Sequence, residues 1–251
     1  GEALAPHVGA LVPKLYRYTH DPNPRVCDAM TAIWRALVDD PKAAVDKAFD
    51  AIMADLLKEL GARLWRNRQA AAGALSDLVQ GRRWAELAPH FVQVWTMTFR
   101  AMDDIKESVR RAAGGLARSV RGVSLRLADQ SLTPAAECRE AVAVLLPLML
   151  EQGLLSSVTE VRALALDVVA KAAKSASPPA LRPLLPGLTQ ALLEALSSLE
   201  DARLNYVEQH AGRLGLDADK LDAARTQAAR QSPLGDTLDL CAAVAGGDAG
   251  E

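Results

Sequence analysis

The chain has 251 residues, half of them hydrophobic but only 4% aromatic, and its 29 basic and 31 acidic residues leave a net charge of −2. That balance argues against a nucleic-acid module, which carries a clear basic excess, and no apolar run is long enough to cross a membrane as a helix. The three cysteines, Cys27, Cys138 and Cys241, are odd in number and far apart, which argues against a disulfide framework and suits a reducing compartment.

The chain opens Gly1-Glu2-Ala3-Leu4-Ala5-Pro6, with neither a Met nor the pattern of a signal peptide. It reads as an internal piece of something longer, or as a mis-started gene. A first helical pair is predicted over about 4–38. Val8, Leu11, Val12, Leu15 and Tyr16 make its first apolar stripe, with Pro13 inside to bend it. Leu4, Val8 and Leu11 leave that helix without a polar outer face, so it should meet a preceding repeat of its own longer chain. Asp21-Pro22-Asn23-Pro24 is a turn, and Pro24 suits the start of the next helix.

The second pair covers about 43–80. Val45, Phe49, Ile52, Met53, Leu56 and Leu57 face the core, Gly61 ends the first helix and Gly81 the second. The third covers about 84–121, with Trp84 (after Gly81-Arg82-Arg83) the tryptophan expected at the surface. Gly122 to Thr133 is the longest connection, expected as a loop with at most a helical turn. Thr133-Pro134-Ala135-Ala136-Glu137 is a helix-start signal. The fourth pair covers about 135–176 with Pro147 inside its first helix, and Ser156-Ser157-Val158-Thr159-Glu160 is expected to cap its second.

A fifth pair, about 179–241, begins with a Leu-rich helix. It continues from about Ala202 with a weakening pattern, then a polar helix over Asp217 to Gln231 and a short last helix containing Leu238, Leu240 and Cys241. Residues 242–251 read as a flexible tail. These five pairs form a single array over 1–241.

The pairs share a register. Taking Arg110 as position zero, its counterparts are Cys27, Arg68 and Arg162, at intervals of 41, 42 and 52 residues. One residue earlier stand Val26, Asn67, Val109 and Val161. Three later stand Met30, Ala71, Ala113 and Ala165, six later Ile33, Ala74, Leu116 and Val168, and ten later Leu37, Leu78, Val120 and Ala172. These offsets trace one face of an α-helix, and a period near 42 marks a helical repeat. All four columns should be buried. A Pro in the first helix, an Asp in the turn and a Val-Arg opening the second helix is the HEAT-repeat pattern. The expected fold is an all-α solenoid of about five HEAT-type helix pairs.

Catalytic chemistry finds no footing. His7, His20, His90 and His210 have no Cys or His neighbour at metal-ligand spacing. Gly114-Gly115 lies mid-helix without a preceding strand, and no Ser occupies a nucleophile elbow. The cysteines read as small buried hydrophobes rather than reactive thiols. No catalytic, metal or cofactor residue is assigned. Asp21, Arg68, Asp104, Arg110 and Arg162 read as a structural ladder in which each Arg reaches an Asp or a carbonyl in a neighbouring turn, as Asp104 and Arg110 could do; a basic edge for an acidic partner is the other reading. Lys106, Arg111, Arg118 and Arg121 read as a solvated face or, alternatively, as a partner-binding stripe.

Three blocks carry a more specific likeness. Leu11-Val12-Pro13-Lys14-Leu15-Tyr16-Arg17-Tyr18, then Asp21-Pro22-Asn23 and Ala29-Met30-Thr31-Ala32-Ile33-Trp34, form the first. Asp103-Asp104-Ile105-Lys106-Glu107-Ser108-Val109-Arg110 is the second. Ser157-Val158-Thr159-Glu160-Val161-Arg162-Ala163-Leu164 is the third. Together they resemble an internal segment of the giant HEAT-repeat proteasome adaptor and scaffold family, over about Leu4 to Cys241. The sequence departs from that family at Cys27, where an Arg would be expected; Arg25 sits two residues earlier.

The resemblance implies a eukaryotic protein without enzymatic activity that binds the 26S proteasome, tethers its core particle to the regulatory particle, and links proteasomes to membranes and motors. It implies protein partners, proteasome subunits foremost, with no cofactor, no nucleic acid and no direct membrane insertion. The location it implies is cytoplasmic and nuclear, with endoplasmic reticulum or endosomes reached through partners. On residues alone two other readings stay open: a different HEAT-repeat binder, of nuclear transport receptor or phosphatase scaffold type, and an enzyme carrying an inserted helical domain.

Overall fold

The architecture follows from helix-start and helix-stop chemistry. The computed structural model describes residues 8–197 and 233–247. Helices α1 (Val8–Tyr18) and α2 (Pro24–Leu37) make the first pair. The second is α3 (Pro41–Lys47), α4 (Phe49–Glu59) and α5 (Trp65–Leu78). The third is α6 (Trp84–Leu87), α7 (Phe91–Met102) and α8 (Glu107–Leu127). In the fourth, α9 (Ala135–Leu148) continues into a π-turn (Met149–Leu154) before α10 (Thr159–Ser175). Then come α11 (Pro178–Leu181), a 3₁₀ turn (Arg182–Leu184), α12 over 185–197, and α13 (Pro233–Gly246). No strand occurs among the described residues. The fold is an all-α solenoid type built from HEAT-repeat helix pairs. The chain forms two compact units, 1–123 and 124–251, with the division inside α8, where the repeat period alone suggests one array. The expected helices from Ala202 and over Asp217 to Gln231 lie outside the described residues.

Caps set several starts. Asn23 accepts the Arg25 N–H at 3.0 Å, with Pro24 in the first helical position. Asp40 accepts the Ala43 N–H at 3.0 Å, with Pro41 following. Each satisfies an amide that the helix itself leaves without a partner. First helices are interrupted where the sequence invites it: at Ala48 between α3 and α4, around Pro89 between α6 and α7, and along the prolines of 178–186. Pro147 cannot donate to the carbonyl four residues back, and the helix relaxes into the π-turn just after it. Gly81 adopts φ 71°, the left-handed conformation that only glycine takes without strain. Gly61 also follows a helix end, but without a positive φ.

Three boundaries differ from expectation. The long connection after Gly122 is helical to Leu127, because Val123, Leu127 and Ala128 are buried and continue the apolar spacing of α8. Thr133 does not cap α9: its hydroxyl donates to the Arg126 carbonyl at 2.8 Å, tying off the end of α8 instead. The tail expected from 242 is helical to Gly246, held by buried Cys241 and Val244 on the face of α13.

Within each unit the core lies between packed helices. In the first unit α1 packs on α2, α4 and α5, and α4 packs on α5 and α7. In the second, α10 packs on the π-turn and on α13, and α9 on α11. Val109, Ala113, Leu116 and Val120 are buried, as are Ala71, Ala74 and Leu78, and Val161, Ala165, Val168 and Ala172. Asn67 is the exception on these helices: half-buried, it donates to Glu59 at 2.8 Å. The first pair breaks the register. Ile33 is 40% exposed, and α2 buries Trp34 and Val38 instead. Trp34 sets its ring edge-on to Tyr16 at 6.0 Å, and the other column residues of α2, Val26, Met30 and Leu37, are half-buried.

Val109 is fully buried, whereas Arg111 is exposed and paired only with Glu107 one turn back at 2.7 Å. Val109→Asp should destabilise the fold by more than about 3 kcal/mol, because the carboxylate has no partner there. Arg111→Ala should change stability by about 0.5 kcal/mol at most. Urea unfolding of the two variants checks the register.

Candidate functional site

Each pair turns from its first helix to its second over a few residues, and two bonds mark that turn, both of them in the third and fourth pairs and the arginine's alone in the second. The position-zero arginine reaches back six residues to a backbone carbonyl. Arg68 donates to Ala62 O at 2.8 Å, Arg110 to Asp104 O at 2.6 Å, and Arg162 to Ser156 O at 2.7 Å. These are carbonyls at or beyond the end of the first helix, where no helical N–H is available. In return, the side chain at that earlier position accepts an amide two residues on. Asp104 takes the Lys106 N–H at 2.8 Å, and Ser156 takes that of Val158 at 3.2 Å. Such Asx and Ser turns fix the chain before a helix starts. Val158, the residue before α10, has no side-chain cap, so the serine acts through the turn.

The first pair keeps half of this. Asp21 accepts the Asn23 N–H at 2.8 Å, while Cys27, in the arginine's place, points its thiol at Thr19 O at 3.0 Å. Asp21 does not lack an arginine: Arg66 of the next pair donates to it at 2.9 Å.

Between pairs, charges do the joining. Arg68 grips Asp104 with two nitrogens, Nε at 2.6 Å and Nη2 at 3.0 Å. That bond, with the Lys106 amide behind it, holds the Asp104 carboxyl below its usual range against the opposing effect of burial. Of the two acceptors expected for such an arginine, an Asp or a carbonyl, Arg110 takes the Asp104 carbonyl, and the Asp104 carboxylate goes to Arg68. Two further joints escaped the sequence pattern. Arg17, buried in α1, reaches Asp55 of α4 at 2.8 Å, and His90 meets Asp50 at 2.9 Å. The acidic partners sit among ordinary helix-surface positions, so nothing in the period distinguishes them.

The basic residues proposed as a stripe are not equivalent. Arg111 and Arg118 are exposed and seven residues apart on α8, while Arg121 is half-buried and has an interaction of its own. Lys106 sits ahead of the helix with its ammonium 5.5 Å from the centre of the Trp65 ring. Trp65 is the tryptophan at the surface, 39% exposed, and Trp84 is buried edge-on against Phe91 at 5.2 Å. Trp84 is covered because α6 folds back beside the start of α7.

No group of three or more His, Cys, Asp or Glu side chains among the described residues could hold a metal ion. Other titrations are shifted by burial. Burial, with Asp77 adding to it, pushes the Tyr16 hydroxyl up to about 12. Burial lowers His20, and it raises the thiols of Cys138 and Cys241. Protonated thiols are poor nucleophiles.

Residues 181–249 match the family described as "Proteasome adapter and scaffold protein ECM29, HEAT-repeat domain". The chain is 42% identical over 241 residues, 96% of its length, to "Proteasome adapter and scaffold protein ECM29" of Homo sapiens. It is 33% identical over 92% of its length to "Proteasome component ecm29" of Schizosaccharomyces pombe, and 32% over 91% to "Proteasome component ECM29" of Saccharomyces cerevisiae. This chain belongs to the ECM29 family. It spans 13%, 14% and 12% of those three relatives, so it corresponds to a short stretch of an ECM29 protein.

In this ECM29 stretch the Arg68–Asp104 pair is the joint most open to measurement. A double-mutant cycle with Arg68→Ala and Asp104→Ala should give a coupling of about 1–3 kcal/mol, as expected for a bidentate, largely buried pair. Because the folded pKa of Asp104 is lowered, its contribution is fully present above the unfolded value near 3.8 and is lost as pH falls toward the folded one. Asp104→Asn should therefore flatten the loss of stability below about pH 4, measured by thermal melts across that range.

Proposed function

We propose that this chain is a non-catalytic scaffold segment that engages the proteasome and helps hold its core and regulatory particles together. The observation that carries the reading is 42% identity over 96% of the chain to a human protein named a proteasome adapter and scaffold. The physical form agrees with it. Repeats that contact mainly their neighbours present long surfaces, and the shifted titrations among the described residues arise from burial and from structural hydrogen bonds such as Arg68–Asp104. Its partners are proteins, proteasome subunits first, and its place of work is the cytoplasm and nucleus. No described helix is long and apolar enough to cross a membrane, so contact with organelles would run through partners.

Cross-linking mass spectrometry on the full-length protein mixed with purified proteasome tests this. Cross-links from lysines of this stretch, such as Lys58 or Lys106, to proteasome subunits are the expected result. Cross-links confined to other parts of the full-length protein would overturn the reading for this segment. Capture of transport cargo or a phosphatase in place of proteasome would transfer it to another class of HEAT-repeat binder.

A further inference from the structure

The turns of the second and third pairs present large apolar side chains to solvent. Leu64 is 63% exposed, Trp65 39% and Ile105 93%. Two bonds bring the turns together: Arg68 of α5 grips Asp104, next to Ile105, and the Lys106 ammonium stands over Trp65. The apolar side chains therefore share one edge. Leu64 also occupies the residue before α5, where no side-chain cap bond is made and where Asn, Asp, Ser or Thr would stabilise the helix. The helix gives up that stabilisation for an exposed leucine.

The charge around the edge is mainly positive. Arg63, Lys106 and Arg110 are exposed. Of the nearby carboxylates, Asp104 is taken by Arg68 and Glu107 by Arg111, and Glu59 lies 3.9 Å from Arg17, which leaves Asp103 as the counterweight. Apolar anchors inside a cationic rim fit a partner of opposite charge with bulky side chains of its own.

We propose that Leu64, Trp65, Ile105 and Lys106 form a docking site for an acidic protein segment carrying large apolar or aromatic side chains. The proposal deepens the scaffold reading, on which it rests for the existence of a protein partner, by giving that partner's chemistry. Apolar side chains of the segment would cover Leu64 and Ile105, and its carboxylates would meet Arg63, Lys106 and Arg110.

Fluorescence anisotropy with a short labelled peptide alternating glutamate and phenylalanine tests it on the whole chain, with a lysine–phenylalanine peptide and an all-glutamate peptide as controls. The glutamate–phenylalanine peptide should bind best and weaken with salt. Leu64→Asn and Ile105→Ser should each weaken it roughly tenfold or more, and Lys106→Glu should shift preference toward the lysine peptide. Leu64→Asn supplies a helix cap, so it should melt at or above the parent temperature; loss of binding there is not loss of fold, and the exposed Ile105 gives a second variant. Equal binding of the three peptides, or unchanged affinity in both variants, would overturn the proposal. So would self-association of the parent chain that the variants abolish, because the edge would then belong to a second copy. Proteasome captured equally by parent and variants would sink the docking site and leave the scaffold reading standing. Peptide binding without proteasome capture would do the reverse.

Discussion

A tight turn between two packed helices holds backbone carbonyls that helical hydrogen bonding does not satisfy, and this fold uses a side chain from the following helix to do so. Arg68, Arg110 and Arg162 each reach back six residues to such a carbonyl. The bond sets the length of the turn and the angle at which the second helix leaves it. Everything packed on the second helix then inherits that placement. Arginine suits the position because its planar head carries several donors in a fixed fork. Arg68 uses one nitrogen on its own turn and two others on Asp104 of the next pair. A single residue thus closes one repeat and joins it to its neighbour.

The packing of the second helices follows from how close they can come. Ala71, Ala113 and Ala165 have no exposed surface, and in the first unit Ser76 of α5 lies 2.8 Å from Ser119 of α8, hydroxyl to hydroxyl. Small side chains let backbones approach; larger ones, such as Leu75 and Leu116, fill the space on either side. The aromatic residues cluster in the first unit, where Trp84 meets Phe91 and Trp95 meets Phe99.

Much of this could be read in the sequence, and the failures have physical causes. The period located the helices of the second, third and fourth pairs because apolar burial repeats with the helix, and burial is what the letters record. On α2 it missed Ile33, which is exposed while the neighbouring Trp34 is buried against Tyr16, a contact between particular rings that no column contains. It left open whether Arg110 would reach the Asp104 side chain or a carbonyl, since a carbonyl belongs to every residue and has no letter of its own. The partner of Asp21 is hidden in the same way: it is Arg66, two residues from position zero and outside the columns. Gly122 suggested a loop because glycine weakens helices by about 1 kcal/mol, but Val123, Leu127 and Ala128 outweigh it by burial. The exposed edge around Leu64 and Ile105 was invisible because the pattern only marks which residues go inside.

The buried alanines carry a mechanical consequence. A methyl group removes little area from water and has no rotamer freedom to lose on folding, so each seam between second helices is weakly bonded yet closely fitted. An array assembled from many such seams distributes its cohesion instead of concentrating it in one core. Pulled from its ends, it should give way repeat by repeat at modest force and close again as each seam re-forms, stretching like a spring before it breaks like a rod.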